Sequence, residues 1–167
     1  MGYYRLEKLL GQGATARVFL ARHEATGLAS ALKVFHPGLW SDEDFQKRAL
    51  SEFKTVSALR HPNIVAVTEA IFEGDTPAVV MDYVDGSSLE EFQPRLPYVL
   101  PEVSVGIVIE VLKALEHAHA QGVVHRDLKP ENLFITKDER VKILDFGLAK
   151  LRSNPGATQG SEDDTRK

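Results

Sequence analysis

The run His125-Arg126-Asp127-Leu128-Lys129-Pro130-Glu131-Asn132 and the triplet Asp145-Phe146-Gly147 constrain this chain more than any other feature. The run puts a carboxylate, an ammonium and an amide into one short loop. The triplet adds a second carboxylate immediately before an aromatic residue and a glycine. A fold that uses these groups together must bring both segments to one cleft, along with any distant side chain that serves them.

The remaining composition allows such a fold. A length of 167 residues suits a single domain, and 43% hydrophobic with 26% charged residues is ordinary for a globular chain that buries a core. The formal net charge of -4 argues against a nucleic-acid partner, which calls for a basic footprint. No apolar run is long enough to span a bilayer, and the start Met1-Gly2-Tyr3-Tyr4-Arg5 lacks the apolar core of an export signal. Cysteine is absent, which excludes disulfide and thiolate chemistry and fits a reducing compartment.

Hydrophobic patterning and turn residues set out the elements. Leu6 to Leu10 and Arg17 to His23 read as strands around a turn at Gly11-Gln12-Gly13, and Leu28 to Phe35 as a third strand entered from Gly27. Ser41 offers a helix cap, with Asp42, Glu43 and Asp44 in the first turn. Phe45, Ala49, Phe53 and Val56 then recur at helical spacing, predicting a helix over 42–59 that stops at His61-Pro62-Asn63. Ile64 to Val67 and Ala78 to Tyr83 are predicted strands, Asp85-Gly86-Ser87 a turn, and Ser88 to Phe92 a short helix before Pro94, Pro97 and Pro101. The strongest helix is predicted over 101–121, with Ile107, Val108, Val111, Leu112, Leu115 and Ala118 as its apolar face and Gly122 as its stop. Short segments at Val123-Val124, Leu133 to Ile135 and Val141 to Leu144 follow. From Arg152 onward polar residues dominate, predicting a mobile tail. A strand-rich part with one helix followed by a helix-led part implies an α+β arrangement of two lobes with a cleft between them.

Several residues ahead of the polar run bear on its chemistry. Gly11-x-Gly13-x-x-Ala16-x-Val18 lies between two strands, which suits a hairpin lid over phosphates better than a dinucleotide crossover; alone, it reads better as a plain glycine turn in a hairpin. Lys33, within Ala31-Leu32-Lys33-Val34, needs an anionic partner if it is buried, and Glu52 on the next helix is a candidate. Taken singly, each also reads as a solvated charge. Phosphoryl transfer from a magnesium nucleotide needs a proton acceptor, a cation near the phosphates and oxygen donors for the metal, and this chain holds all of them.

The full set, in this order, resembles the eukaryotic-like serine/threonine protein kinases from Tyr4 to about Leu151. The resemblance implies an N-lobe of antiparallel sheet with one helix over about 1–82, a hinge at about 82–86, an incomplete helical C-lobe over 87–151 and part of an activation segment over 152–167. It implies ATP and Mg²⁺ as cofactors and protein Ser/Thr hydroxyls as substrate. Asp127 would accept the hydroxyl proton, Lys129 would neutralise the moving phosphoryl group, and Asn132 and Asp145 would hold the metal. A Lys33–Glu52 pair would meet the α- and β-phosphates. Leu10, Gly11, Gln12 and Gly13 would form the lid, Val18, Ala31 and Phe134 would sandwich the base, Met81 would flank its back, and the Asp82 and Val84 backbones would bond adenine. His125 would support the loop, Phe146 would pack beneath the Glu52 helix, and Arg126 would bind a phosphorylated activation segment or make a local salt bridge.

The chain departs from the kinase pattern in two ways. Ala16 replaces the third glycine of the lid, a small residue that should leave the lid intact. No Ala-Pro-Glu segment appears among residues 153–167, where Thr158, Ser161 and Thr165 are candidate phosphorylation sites. An incomplete C-lobe would leave part of the 101–121 helix face uncovered and activity weak or absent. The alternatives are a non-catalytic nucleotide-binding module and a small-molecule phosphotransferase; the latter commonly has glycine at the Arg126 position and lacks Lys-Pro-Glu-Asn. The loop style and the missing cysteine suggest a bacterial, cytoplasmic protein. Oligomeric state has no signature here.

Overall fold

The computed structural model describes residues 3–38, 43–72, 76–92 and 99–146. Ser41 and Asp42 at the predicted helix cap, Pro94 and Pro97, Gly147, and the 152–167 tail with its three hydroxyl residues lie outside the described residues.

Five strands, β1 (Tyr4–Gln12), β2 (Ala16–His23), β3 (Ala29–Phe35), β4 (Val67–Ile71) and β5 (Ala78–Asp82), form an antiparallel sheet ordered β1-β2-β3-β5-β4. β1 is an exposed edge strand carrying Arg5, Glu7 and Lys8, charges that discourage pairing with another chain. β3 and β5 are interior. Their two-residue period separates Leu32, Val34 and Val80 on one face from Ala31, Phe35, Val79 and Met81 on the other. Lys33 shares the Ala31 side by the same alternation.

Helix α1 (Glu43–Val56) buries Phe45, Ala49, Glu52 and Val56, with Phe45 edge-on to Phe35 at 5.9 Å. The buried stripe therefore runs through Glu52, while the predicted Phe53 is only partly buried and meets Phe72 edge-on at 6.4 Å. The predicted strand at 64–67 is corrected. Ile64 makes a single parallel bridge to Ile143, and the strand proper begins at Val67, because the pairing of β4 with β5 dictates its bounds.

After β5 the chain passes into β6 (Gly86–Ser88), α2 (Leu89–Phe92) and α3 (Pro101–Ala120), then a single 3-10 turn at Pro130–Asn132, β7 (Leu133–Thr136) and β8 (Val141–Ile143). The predicted turn at 85–87 is thus also corrected: Gly86 to Ser88 pair with β7, giving a small antiparallel sheet ordered β6-β7-β8. A Cβ on Gly86 would collide with the Ile135 carbonyl, so the glycine is what lets β6 come close. Proline opens α3 where no intrahelical donor is needed. At its end Gly122 has φ 74°, and the Val123 and Gly122 N–H groups bond the Ala118 and His119 carbonyls at 2.9 Å each, a Schellman closure.

Of the predicted α3 face, Val111 and Ala118 are buried with Ala114, and Ile107 and Leu115 are partly buried. Val108 and Leu112 are instead 53% and 56% exposed. One core joins the cleft face of the large sheet to α1, α3, β8 and Phe146; a smaller one covers the opposite face. Among the described residues, no helix is long and apolar enough to cross a membrane.

Candidate active site

The β1–β2 hairpin roofs a cavity of about 550 Å³ that reaches across to β7 and the segment after β8. Leu10, Gly11, Gln12, Gly13, Val18, Ala31, Lys33, Met81, Asp82, Val84, Asn132, Phe134 and Asp145 all line it. These residues come from six elements and three connecting segments, so tertiary structure alone makes them neighbours. The hairpin tip is closed by a Gly13 N–H bond to the Ala16 carbonyl at 2.9 Å and tied to the end of β3 by the His36 N–H bond to Thr15 at 2.9 Å. Nothing lies within 4 Å of where a Gly11 side chain would begin, which leaves open space beside that backbone.

Lys33 is buried, and its ammonium lies 2.7 Å from an Asp145 carboxylate oxygen. Asp145 thus forms an ion pair with Lys33, and Glu52, the partner expected for that lysine, is buried on α1. Asp145 has φ 59° and Arg126 φ 68°. Both are non-glycine residues in the left-handed region, a conformation that costs energy and concentrates at working sites.

His125 organises the loop between these points. Its buried ring donates from Nε2 to the Leu144 carbonyl at 2.7 Å and accepts the Asp127 N–H at Nδ1 at 3.3 Å, which fixes the neutral Nε2–H tautomer. Burial pushes its pKa below the usual imidazole range, against the opposing pull of the Leu144 carbonyl and the Asp145 and Asp127 charges. Phe146 meets it edge-on at 4.7 Å. The Asn132 amide donates to the Asp127 carbonyl at 2.7 Å, and the Leu144 N–H bonds the Asn132 carbonyl at 2.9 Å. Lys129 stands 3.7 Å from Asp127 and 3.9 Å from Glu131. Asp127, Lys129 and Glu52 are not among the cavity-lining residues; the first two are coupled to it through Asn132. No described ion pair involves Arg126.

The metal-binding potential rests on the donor set. Asn132 spends its N–H on Asp127 and keeps its Oδ1, and Asp145 contributes a carboxylate that is 27% exposed. Two hard oxygens, one of them anionic, suit Mg²⁺, which takes few protein ligands and completes its shell with phosphate and water. No cluster of three or more His, Cys, Asp or Glu suited to a metal occurs among the described residues.

Sequence reasoning missed several residues here. Thr15, Val65, Tyr83, Gly86, Glu91, Glu131 and Leu144 also line the cavity. Glu131 stands inside the polar run and was within reach of the pattern; the others have no local signal. The larger omission is Asn63, read only as part of a helix break. It is buried, its amide donates to Glu110 at 2.7 Å and to the Val141 carbonyl at 2.8 Å, and its carbonyl accepts the Ile143 N–H at 2.8 Å. It therefore ties the turn after α1 to both α3 and the strand that runs into Asp145.

Comparison with known proteins bears on this geometry. A family model described as protein kinase domain matches residues 4–164. The chain is 40% identical over 160 residues to the serine/threonine-protein kinase PknJ of Mycobacterium tuberculosis, covering 93% of this chain and 27% of that protein. It is 36% identical over 173 residues to the serine/threonine-protein kinase PkaA of Streptomyces coelicolor, covering 95% of this chain and 32% of the other. The chain thus spans between a quarter and a third of these relatives. The crystal structure of the Mycobacterium tuberculosis PknI kinase domain superposes with a TM-score of 0.74 at 35% identity, over 87% of this chain and 60% of that one.

Proposed function

The chain belongs to the protein kinase domain family, and on that premise we propose that it carries the ATP-dependent phosphorylation of Ser/Thr hydroxyls on proteins. The observation that carries this reading is the convergence on one cavity of Lys33, Asp145 and Asn132, with Asp127 joined to Asn132 by a 2.7 Å bond.

In this reading residues 1–82 are the N-lobe, 82–86 the hinge, 87–151 a partial C-lobe and 152–167 part of the activation segment. The β1–β2 hairpin covers the phosphates, Val18, Ala31 and Phe134 hold the base, and Met81 flanks it beside the Asp82 and Val84 backbones. Lys33 and Glu52 serve the phosphate end. Asn132 and Asp145 are the residues that would hold Mg²⁺, which would screen charge on the phosphates when bound. Asp127 takes the proton from the acceptor hydroxyl, and Lys129, 3.7 Å away, offsets the charge that develops. A cytoplasmic setting belongs to the same proposal.

One observation favours a second reading, a nucleotide-binding module without transfer. The outer side of α3, which leads into the catalytic loop, exposes Val105, Val108, Ile109 and Leu112. A loop backed by a helix packed on one side only is less rigidly placed, and transfer depends on placement. An assay with [γ-³²P]ATP and a generic Ser/Thr protein acceptor, run beside a nucleotide-induced melting shift, separates the two. Transfer that falls about 10²–10⁴-fold in Asp127→Asn supports the kinase reading. A melting shift without transfer supports the second, and equal transfer in both forms removes Asp127 from the chemistry.

A further inference from the structure

His61 opens the turn that follows α1, and His117 sits in the last turns of α3. Their rings lie 5.3 Å apart at an interplanar angle of 37°. Neither residue enters the proposed chemistry. His61 Nδ1 accepts the Asn63 N–H at 3.1 Å. The second nitrogen-to-nitrogen contact joins His117 Nε2 to the Gln121 amide at 2.8 Å, so with Gln121 donating, that ring nitrogen also accepts. Both imidazoles thus use a lone pair that a proton would remove.

The surroundings disfavour added positive charge. Lys113 on α3 and Lys142 on β8 act on His61 as like charges, as does His117 when protonated. Glu110 on α3 acts in the opposite sense, but one of its oxygens is already engaged by the Asn63 amide at 2.7 Å. The turn held here carries weight for the fold: the Ile64 N–H closes onto the His61 carbonyl at 3.0 Å, Val65 bonds Ile143 at 3.0 Å, and Asn63 bonds both ends of β8.

We propose that the His61–His117 pair is a proton-sensitive latch: when neutral it seats the 61–65 turn on α3 and β8, and when protonated it releases that turn. Release would loosen β8, the strand that leads directly to Asp145. The inference rests on the fold and stands whether or not the cavity transfers phosphate.

The direction of titration agrees. Burial, then the His117 charge, hold the His61 pKa below its ordinary value, with Lys113 and Lys142 adding to them and Glu110 opposing. A depressed imidazole pKa means the unfolded chain binds the proton first. The stabilisation is complete above the ordinary value of about 6.5 and is lost as pH falls below it.

The test is histidine ring NMR on the full chain from pH 8 to 5, with melting followed by circular dichroism over the same range. His61 is expected to titrate below about 6.5, and Tm to fall as the pH drops below about 6.5. In His117→Leu the His61 midpoint should rise, and the acid fall in Tm should become shallower. His61→Asn should flatten the fall further; if that variant does not fold, His117→Leu, altered on a partly exposed helix position, decides alone. His125 titrates in every form and cancels in the comparison. A His61 midpoint at or above about 6.5 in the unmodified chain would overturn the latch, as would a midpoint unmoved by His117→Leu. So would variants that lower Tm equally at every pH.

Discussion

Lys33 and Asp145 are a mutually dependent pair, a buried ammonium and a partly buried carboxylate 2.7 Å apart, so removing one leaves the other uncompensated. Lys33→Met should cost about 1–3 kcal/mol, moderated by the exposed side of Asp145. It should also weaken binding of Mg-ATP more than binding of adenosine, which isothermal calorimetry with both ligands would read. Equal losses for the two ligands would remove the ammonium from the phosphate end. His125 does a different job: each ring nitrogen fixes one backbone group, so His125→Phe keeps the packing on Phe146 but strands the Asp127 N–H and the Leu144 carbonyl. Two lost bonds at about 1 kcal/mol each should lower Tm by roughly 4–8 °C. Unchanged melting would show that the loop does not hang on this ring. The kinase pattern placed His125 in support of the loop, but only the folded chain supplied the two backbone groups it holds.

At the scale of elements, β6 was the least legible. Gly86 looks like turn chemistry because Asp-Gly-Ser is turn composition, and its partner in β7 lies fifty residues later. Local propensity lost to long-range pairing. Gly86→Ala should force β6 away from the Ile135 carbonyl, costing about 1–3 kcal/mol and disturbing a strand that borders the cavity. Chemical denaturation gives the cost, and nucleotide affinity should fall with it. Gly122→Ala, at φ 74° but in open space, should cost only about 1 kcal/mol and leave affinity unchanged. If the two variants behave alike, close approach is not what Gly86 provides. The α1 stripe shows a related limit: taken singly, Glu52 reads equally as a solvated carboxylate or as a partner for Lys33, and only the fold places it among the buried residues of the helix.

At the scale of the molecule, one core runs from the large sheet through α1 to α3 and β8, so the two parts share their interior rather than merely touching. Asn63 and the Ile64–Ile143 bridge are the polar stitches across that junction. The opposite side of α3 is apolar and exposed over Val105, Val108, Ile109 and Leu112, which favours association through that surface. Val108→Gln combined with Leu112→Gln should reduce concentration-dependent light scattering while changing stability by no more than about 0.5 kcal/mol per site. A large loss of stability would mean that this face is packed in solution.

The sequence by itself determined the chemistry available to this protein. The order and spacing of Lys33, Asp127, Asn132 and Asp145 name a family, and strand and helix periods place most elements, because both are local properties of the chain. Tertiary structure decided which charges meet. It paired Lys33 with Asp145, turned Glu52 into the core, made β6 a strand and gave Asn63 its four bonds. Those outcomes depend on distances between residues far apart along the chain, and no local pattern encodes them.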